Sequence, residues 1–414
     1  MEYFEIGKYG FFAEKRDLKK SKARFAVTHE AMLFNQEGLF WLNQDMLDVA
    51  YKKYEIQELE SLRKGETEKD WIKEKIQNGL LGFVNLSRQS KERWMEEIEK
   101  EIEDAVEKPL KKLKVSVLAL GDVGGTLLTA LKLLGGDVID QIGIWDINPS
   151  VCKRWEYEMN QTAYPWQYDI LPSVNILEEK ELFDCDIFIF CASKGIPPVG
   201  SKETDVRMAQ FHANREIIRK YAKMARIKSF RGRFAVVSDP VDPLCREAFF
   251  ASNEAEDGNF DGKGLRPEQI QGYGLGVMNS RAAYYAKKDD QYASFLTEGR
   301  AFGPHGNDLV IANSIKNYDD LLSKNLTKLA VEANLKTREE GFKPYIAPAL
   351  SSAAISILLT LRGEWHYSSN FLGGIFMGCK NKLSRIGLEM EALSLPEALY
   401  GRLEKAYRGL EEIQ

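Results

Sequence analysis

Histidine and cysteine are scarce in this chain, four and five among 414 residues, and the scarcity narrows the chemistry before any motif is read. Cys152, Cys185, Cys191, Cys245 and Cys379 show neither CxxC spacing nor a Cys/His pattern of the kind that holds zinc. No metal site is expected, and the thiols read as reduced core residues. Long apolar runs are missing as well: the longest low-charge stretch, 347–361, is too short to span a bilayer and carries Ser351, Ser352 and Ser356. Neither charge dominates, with 57 basic against 62 acidic residues, so the concentrated basic field that nucleic acid requires is absent. The first residues lack a basic start followed by an apolar stretch, which makes the cytoplasm the expected location.

The chain is longer than one hydrophobic core usually serves. Three units are expected: an extension over 1–110, a cofactor-binding domain over 111–252 and a catalytic domain over 253–414. Within the extension, patterns at 23–28, 31–34 and 38–42 predict strands. Helical periodicity at 46–54, 67–78 and 91–112 completes a small α+β module. From Lys114 onward the texture alternates. Strands are predicted over 115–120, 141–146, 186–192 and 233–238, and helices over 124–134 and 205–226, the pattern of a doubly wound parallel sheet. A polar excursion over 253–269 separates the two larger units.

Two motifs carry chemistry. Ala119-Leu120-Gly121-Asp122-Val123-Gly124-Gly125 follows an apolar strand and opens a helix, as a turn that cradles a pyrophosphate must. Asp146, ending the next apolar strand, is placed to accept ribose hydroxyls and repel a 2'-phosphate, favouring NAD over NADP. Far downstream, Phe302-Gly303-Pro304-His305-Gly306-Asn307-Asp308 sets a histidine between glycines. Moving electrons at a carbon that bears oxygen requires a proton donor or acceptor near neutrality, and His305 suits that task. Glycine turns after strands are common and a lone histidine is more often structural, so each motif gains weight only from the other.

With Arg207 and Arg281 between them, these motifs come in an order that resembles the lactate/malate dehydrogenase family over about three quarters of the chain. The resemblance implies a Rossmann-type doubly wound sheet plus an α+β catalytic domain, a homo-oligomer, and a small 2-oxo or 2-hydroxy acid as substrate. It assigns Gly121, Val123, Gly124, Asp146 and Ala192 to NAD. Arg281 becomes the bidentate clamp on the substrate carboxylate, and Arg207 the arginine that closes over the reacting group. Asn214, and Ser351 or Ser352, are expected to contribute to the substrate pocket, and His305 to exchange the proton.

Two positions depart from the family. In Ser238-Asp239-Pro240-Val241-Asp242 the usual asparagine is Asp239, which cannot donate when ionised. The aspartate that ordinarily orients the histidine is Met278. Asp239 is therefore the expected replacement for the missing carboxylate, in a hydroxyacid dehydrogenase with an added amino-terminal domain. Two other readings remain open. The segment 65–81 faintly resembles peptide-recognising winged-helix modules, so the extension can recruit a peptide- or carrier-borne substrate. Alternatively, Met278 and Asp239 mark a non-catalytic NAD-binding protein. A metal-dependent NAD glycosidase ranks lower, because no cysteine neighbours His305.

Overall fold

The computed structural model describes residues 112–194, 206–306, 308–372, 375–384, 387–391, 393 and 395–413, with backbone alone at 206–209, 384, 387 and 389. Before residue 112 it describes only the backbone of four strands: β1 (Glu2–Ile6), β2 (Tyr9–Ala13), β3 (Gly38–Trp41) and β4 (Phe83–Val84). Of the strands expected in the extension, the one at 38–42 coincides with β3. The other elements expected there, and the segment 195–205, lie outside the described residues.

Six parallel strands organise the rest. They are β5 (Leu113–Leu118), β6 (Ile139–Trp145), β7 (Ser173–Ile176), β8 (Ile187–Phe190), β9 (Arg233–Val236) and β10 (Ile270–Gly272). Their order, β10-β9-β8-β5-β6-β7, is the doubly wound arrangement, with a switch point between β5 and β8. At β8 the sequence Ile-Phe-Ile-Phe is buried throughout, because helices cover both faces of the sheet. Ile187 and Ile189 face one layer, with Leu127, Leu128 and Leu131 of α1 (Asp122–Leu134). Phe188 and Phe190 face the other, with α3 (Val206–Ile227) and α4 (Val241–Asn253). The helix α2 (Pro149–Asn160), which the sequence reading does not contain, starts on an Asn148 cap with Pro149 in its first turn.

The sheet does not stop at the expected boundary between 252 and 253. β10 pairs parallel with β9, and β13 (His366–Leu372) continues antiparallel through the residue pair Gly272–Ser369. β14 (Ile375–Ser384), β15 (Gly387–Met390) and finally β4 complete it. A separate hairpin, β11 (Arg300–Phe302) and β12 (Val310–Ala312), holds the His305 segment between its strands. Around these pack α5 (Leu275–Ala286), α6 (Asp320–Glu339), and a π-helical stretch, Pro348–Ile355, that runs into α7 (Ser356–Arg362). The amphipathic tail forms α8 (Glu397–Glu412), which buries Leu399, Leu403 and Tyr407. No helix among the described residues is long and apolar enough to cross a membrane.

Candidate active site

A cleft of about 1800 Å³ opens at the switch point. Its cofactor end is shaped by backbone. Ala119 turns the chain after β5 with a φ of 71°, the left-handed region, which costs a non-glycine residue about 1 kcal/mol. Gly124 is forced: a Cβ there would sit 2.0 Å from the Ala119 carbonyl oxygen, so only glycine lets α1 start this close to the strand. Gly121 differs, because a Cβ there would meet nothing within 4 Å. It leaves backbone open toward the cleft, which suits close approach by a phosphate rather than helix packing.

Asp146 braces this turn. Its Oδ2 accepts from the Leu120 N–H at 2.8 Å and its Oδ1 from the Asn148 N–H at 2.9 Å. Each oxygen keeps a second lone pair for a ligand hydroxyl. Val123, Asp146 and Ala192 line the same cleft as Gly121 and Gly124, so all five residues expected to bind cofactor come together. Cys191 lines it too, but burial pushes its thiol up to about 12, which keeps it protonated and unreactive near neutrality.

Side chains shape the other end. His305 stands in the β11–β12 connection over Gly274, where a Cβ would fall 2.4 Å from its Nδ1; the bare backbone is the floor for the ring. Its Nε2 lies 2.6 Å from Oδ1 of Asp239, and its Nδ1 4.0 Å from Oδ2 of Asp242. The two carboxylates differ in setting. Asp239 is 53% exposed and lines the cleft, whereas Asp242 is 4% exposed and accepts a 2.6 Å bond from the Ser369 hydroxyl. Arg281 projects from α5 into the cleft, half-buried, with Nη1 3.4 Å from both the Met278 sulfur and the Ala330 carbonyl. Burial lowers its pKa, and no carboxylate among the described residues forms an ion pair with it. A guanidinium held this way is matched by an incoming anion.

Two expected residues sit elsewhere. Asn214 is fully buried and does not line the cleft; its amide donates to the Asp239 carbonyl at 2.7 Å, and its Oδ1 accepts from the Lys194 N–H at 3.0 Å. It fixes the chain at Asp239, so a direct substrate contact is corrected to support from behind. Ser351 is likewise not on the lining, because the π-helical turn presents Ser352 instead. The Ser352 hydroxyl donates to the Gly274 carbonyl at 2.6 Å and accepts from the Val277 N–H at 2.8 Å, capping α5 beneath His305. Arg207 belongs to α3, but its side chain lies outside the described residues. Sequence reading missed Asp242, and it named Ser352 as the alternative to Ser351. Asp242 left a trace, three residues after Asp239 in the first turn of a helix.

Against solved structures, the minor L-lactate dehydrogenase of Enterococcus mundtii in a ligand-bound form aligns with a TM-score of 0.59 at 18% identity, covering 73% of this chain and 97% of that one. The fold is that of lactate and malate dehydrogenases. The malate dehydrogenase of Picrophilus torridus gives 0.58 at 16% identity over 73% and 96% of the two chains. That of Archaeoglobus fulgidus in complex with NADH gives 0.57 at 17% identity over 72% and 98%. No family model and no curated protein matches the sequence. At such identities the match fixes the architecture and leaves the chemistry to the cleft.

Proposed function

We propose that this protein is an NAD-dependent oxidoreductase that acts on a carbon adjacent to a carboxylate, in the manner of a 2-hydroxy or 2-oxo acid dehydrogenase. What carries this function is the meeting, in one cleft, of the Gly121 turn and Asp146 with a half-buried Arg281 that has no acidic partner among the described residues. The open backbone at Gly121 and the start of α1 suit the pyrophosphate, and Asp146 suits the adenine-side ribose. Bound there, a nicotinamide supplies the two-electron step. Arg281 then holds the substrate carboxylate through two parallel N–H bonds, which places the neighbouring carbon. His305 holds the proton to be exchanged at Nε2, in contact with Asp239.

The test combines binding with turnover. NADH should bind to the wild type and to His305→Asn with equal affinity, while the variant loses roughly 10²- to 10⁴-fold in kcat, the usual worth of a positioned acid/base group. Arg281→Lys should reduce kcat/KM by about 10²-fold, because an ammonium cannot replace the planar fork. Failure of the wild type to bind NADH would end the proposal. A second reading, a non-catalytic NAD-binding protein, is favoured by one observation: Asp239 occupies the ring nitrogen that would face substrate. Tight NADH binding with no turnover of any carboxylic acid would select it.

A further inference from the structure

At the reacting end of the cleft, a hydroxyacid enzyme has to stabilise negative charge developing on oxygen. Among the described residues, this cleft does the reverse. Asp239, half-exposed on the lining, and buried Asp242 flank His305 at 2.6 and 4.0 Å and place two carboxyl groups around one imidazole. A carboxylate accepts hydrogen bonds and donates none when ionised, so it opposes an alkoxide and favours a nitrogen that carries protons and positive charge. Arg281, on the same cleft, supplies the opposite charge. Together they match a ligand that carries an anion and a cation on the same carbon, the arrangement of a 2-amino or 2-imino carboxylic acid.

We infer that the substrate pair is a 2-imino acid and the corresponding 2-amino acid, rather than a 2-oxo and 2-hydroxy acid. The inference rests on the dehydrogenase function proposed above and names its substrate class. Arg281 takes the carboxylate, and Asp239, braced by the amide of Asn214 through its backbone carbonyl, faces the protonated nitrogen. In the reductive direction the carbon of the C=N⁺ bond gains one hydrogen and two electrons from a reduced nicotinamide, which becomes oxidised. The π pair of that bond moves to nitrogen and cancels its positive charge, so no proton has to be delivered during the step. In reverse, the ammonium must first lose a proton, and the His305–Asp239 pair is the acceptor at hand. The negative charge that hinders an oxyanion therefore assists both directions for nitrogen.

The experiment compares a five-membered cyclic 2-imino acid with the open-chain 2-oxo acid of equal carbon number, using NADH. It also measures equilibrium binding of a 2-amino acid and the matching 2-hydroxy acid to the NAD-loaded protein. The imino acid should exceed the oxo acid at least tenfold in kcat/KM, and the amino acid should bind at least tenfold more tightly than the hydroxy acid. Asp239→Asn, isosteric at a half-exposed site, should reverse both preferences while leaving NADH affinity and melting temperature unchanged. If NADH binds and the oxo acid is reduced as fast as the imino acid or faster, the inference fails and the dehydrogenase function stands. Equal or tighter binding of the hydroxy acid to the wild type also overturns it. Absence of NADH binding would remove both together.

Discussion

The two ends of the cleft are built by different means. At the cofactor end the turn, its glycines and Asp146 are contiguous or nearly so in sequence, and the support behind them is aliphatic: Val115, Val117, Leu127, Ile142 and Ile144. At the reacting end, four separated segments contribute Asp239, Arg281, His305 and Ser352. Behind them lies a buried polar network. The Tyr273 hydroxyl meets Gln271 and Thr360, Thr360 meets His366, and Gln271 reaches Ser368, Asn370 and Asn381. A backbone-made site depends on volume and chain direction, whereas a site made by converging side chains depends on hydrogen bonds and charge. The ends should therefore fail under different insults.

The strongest way to break this contrast is to place a side chain where the cofactor end has none. Gly124→Val pushes a branched Cβ into the Ala119 carbonyl, and should cost at least about 3 kcal/mol in denaturant unfolding and abolish NADH binding, whatever the pH. Retention of normal stability would mean that α1 can move away from β5. A smaller effect, confined to the reacting end, should come from acid. His366 is buried, and desolvation lowers its pKa from 6.5 to about 4. Its Nδ1 donates to the Glu364 carbonyl at 3.0 Å, leaving Nε2 as the acceptor nitrogen, 2.9 and 3.1 Å from the Thr360 and Ser368 hydroxyls.

Above pH 6.5 this ring is neutral in folded and unfolded chains alike. As pH falls toward 4 only the unfolded chain takes up the proton, so stability is lost across that window. The loss between pH 8 and pH 5 should be about 2 kcal/mol, and His366→Gln should flatten the unfolding slope there by about one proton. An unchanged slope would show that the network does not hold the imidazole neutral. The smallest effect returns to the cofactor end. Ala119→Gly relieves the left-handed alanine and should gain up to about 1 kcal/mol, with no pH dependence. A loss instead would show that the alanine methyl contributes packing that outweighs its strain.

The same contrast explains what could be read from sequence. Alternating strand and helix patterns located β5, β6, β8 and β9, α1 and α3 to within a few residues, because buried parallel strands and amphipathic helices each leave a local period. The short strands β7 and β10 were missed; Ser-Val-Asn-Ile and Ile-Gln-Gly mix polar residues with apolar ones and lack the apolar run that marks β8. α2 was missed because its start depends on Asn148 and Pro149, residue types that mark a turn as readily as a helix start. The glycine turn and Asp146 were legible as a unit for the same local reason. Asp239 beside His305 could be expected from motif order, but Asp242 acquires its position only when β9 and β13 are folded together, and the choice between Ser351 and Ser352 is made only by the π-helical turn. Asn214 was assigned to substrate when its amide is spent on backbone, a distinction that depends on which way a helix faces.

The pairing of β10 with β13 has a mechanical consequence. Backbone there contributes a single residue pair, Gly272 with Ser369, and the ladder's work passes to side chains, with Gln271 reaching across to Ser368, Asn370 and Asn381 and Asp242 bonded to Ser369. The parallel and antiparallel halves are thus riveted rather than woven. A partial opening under heat or load would begin at this joint, and since Asp242 is one of its rivets and a neighbour of His305, the imidazole would register the parting first.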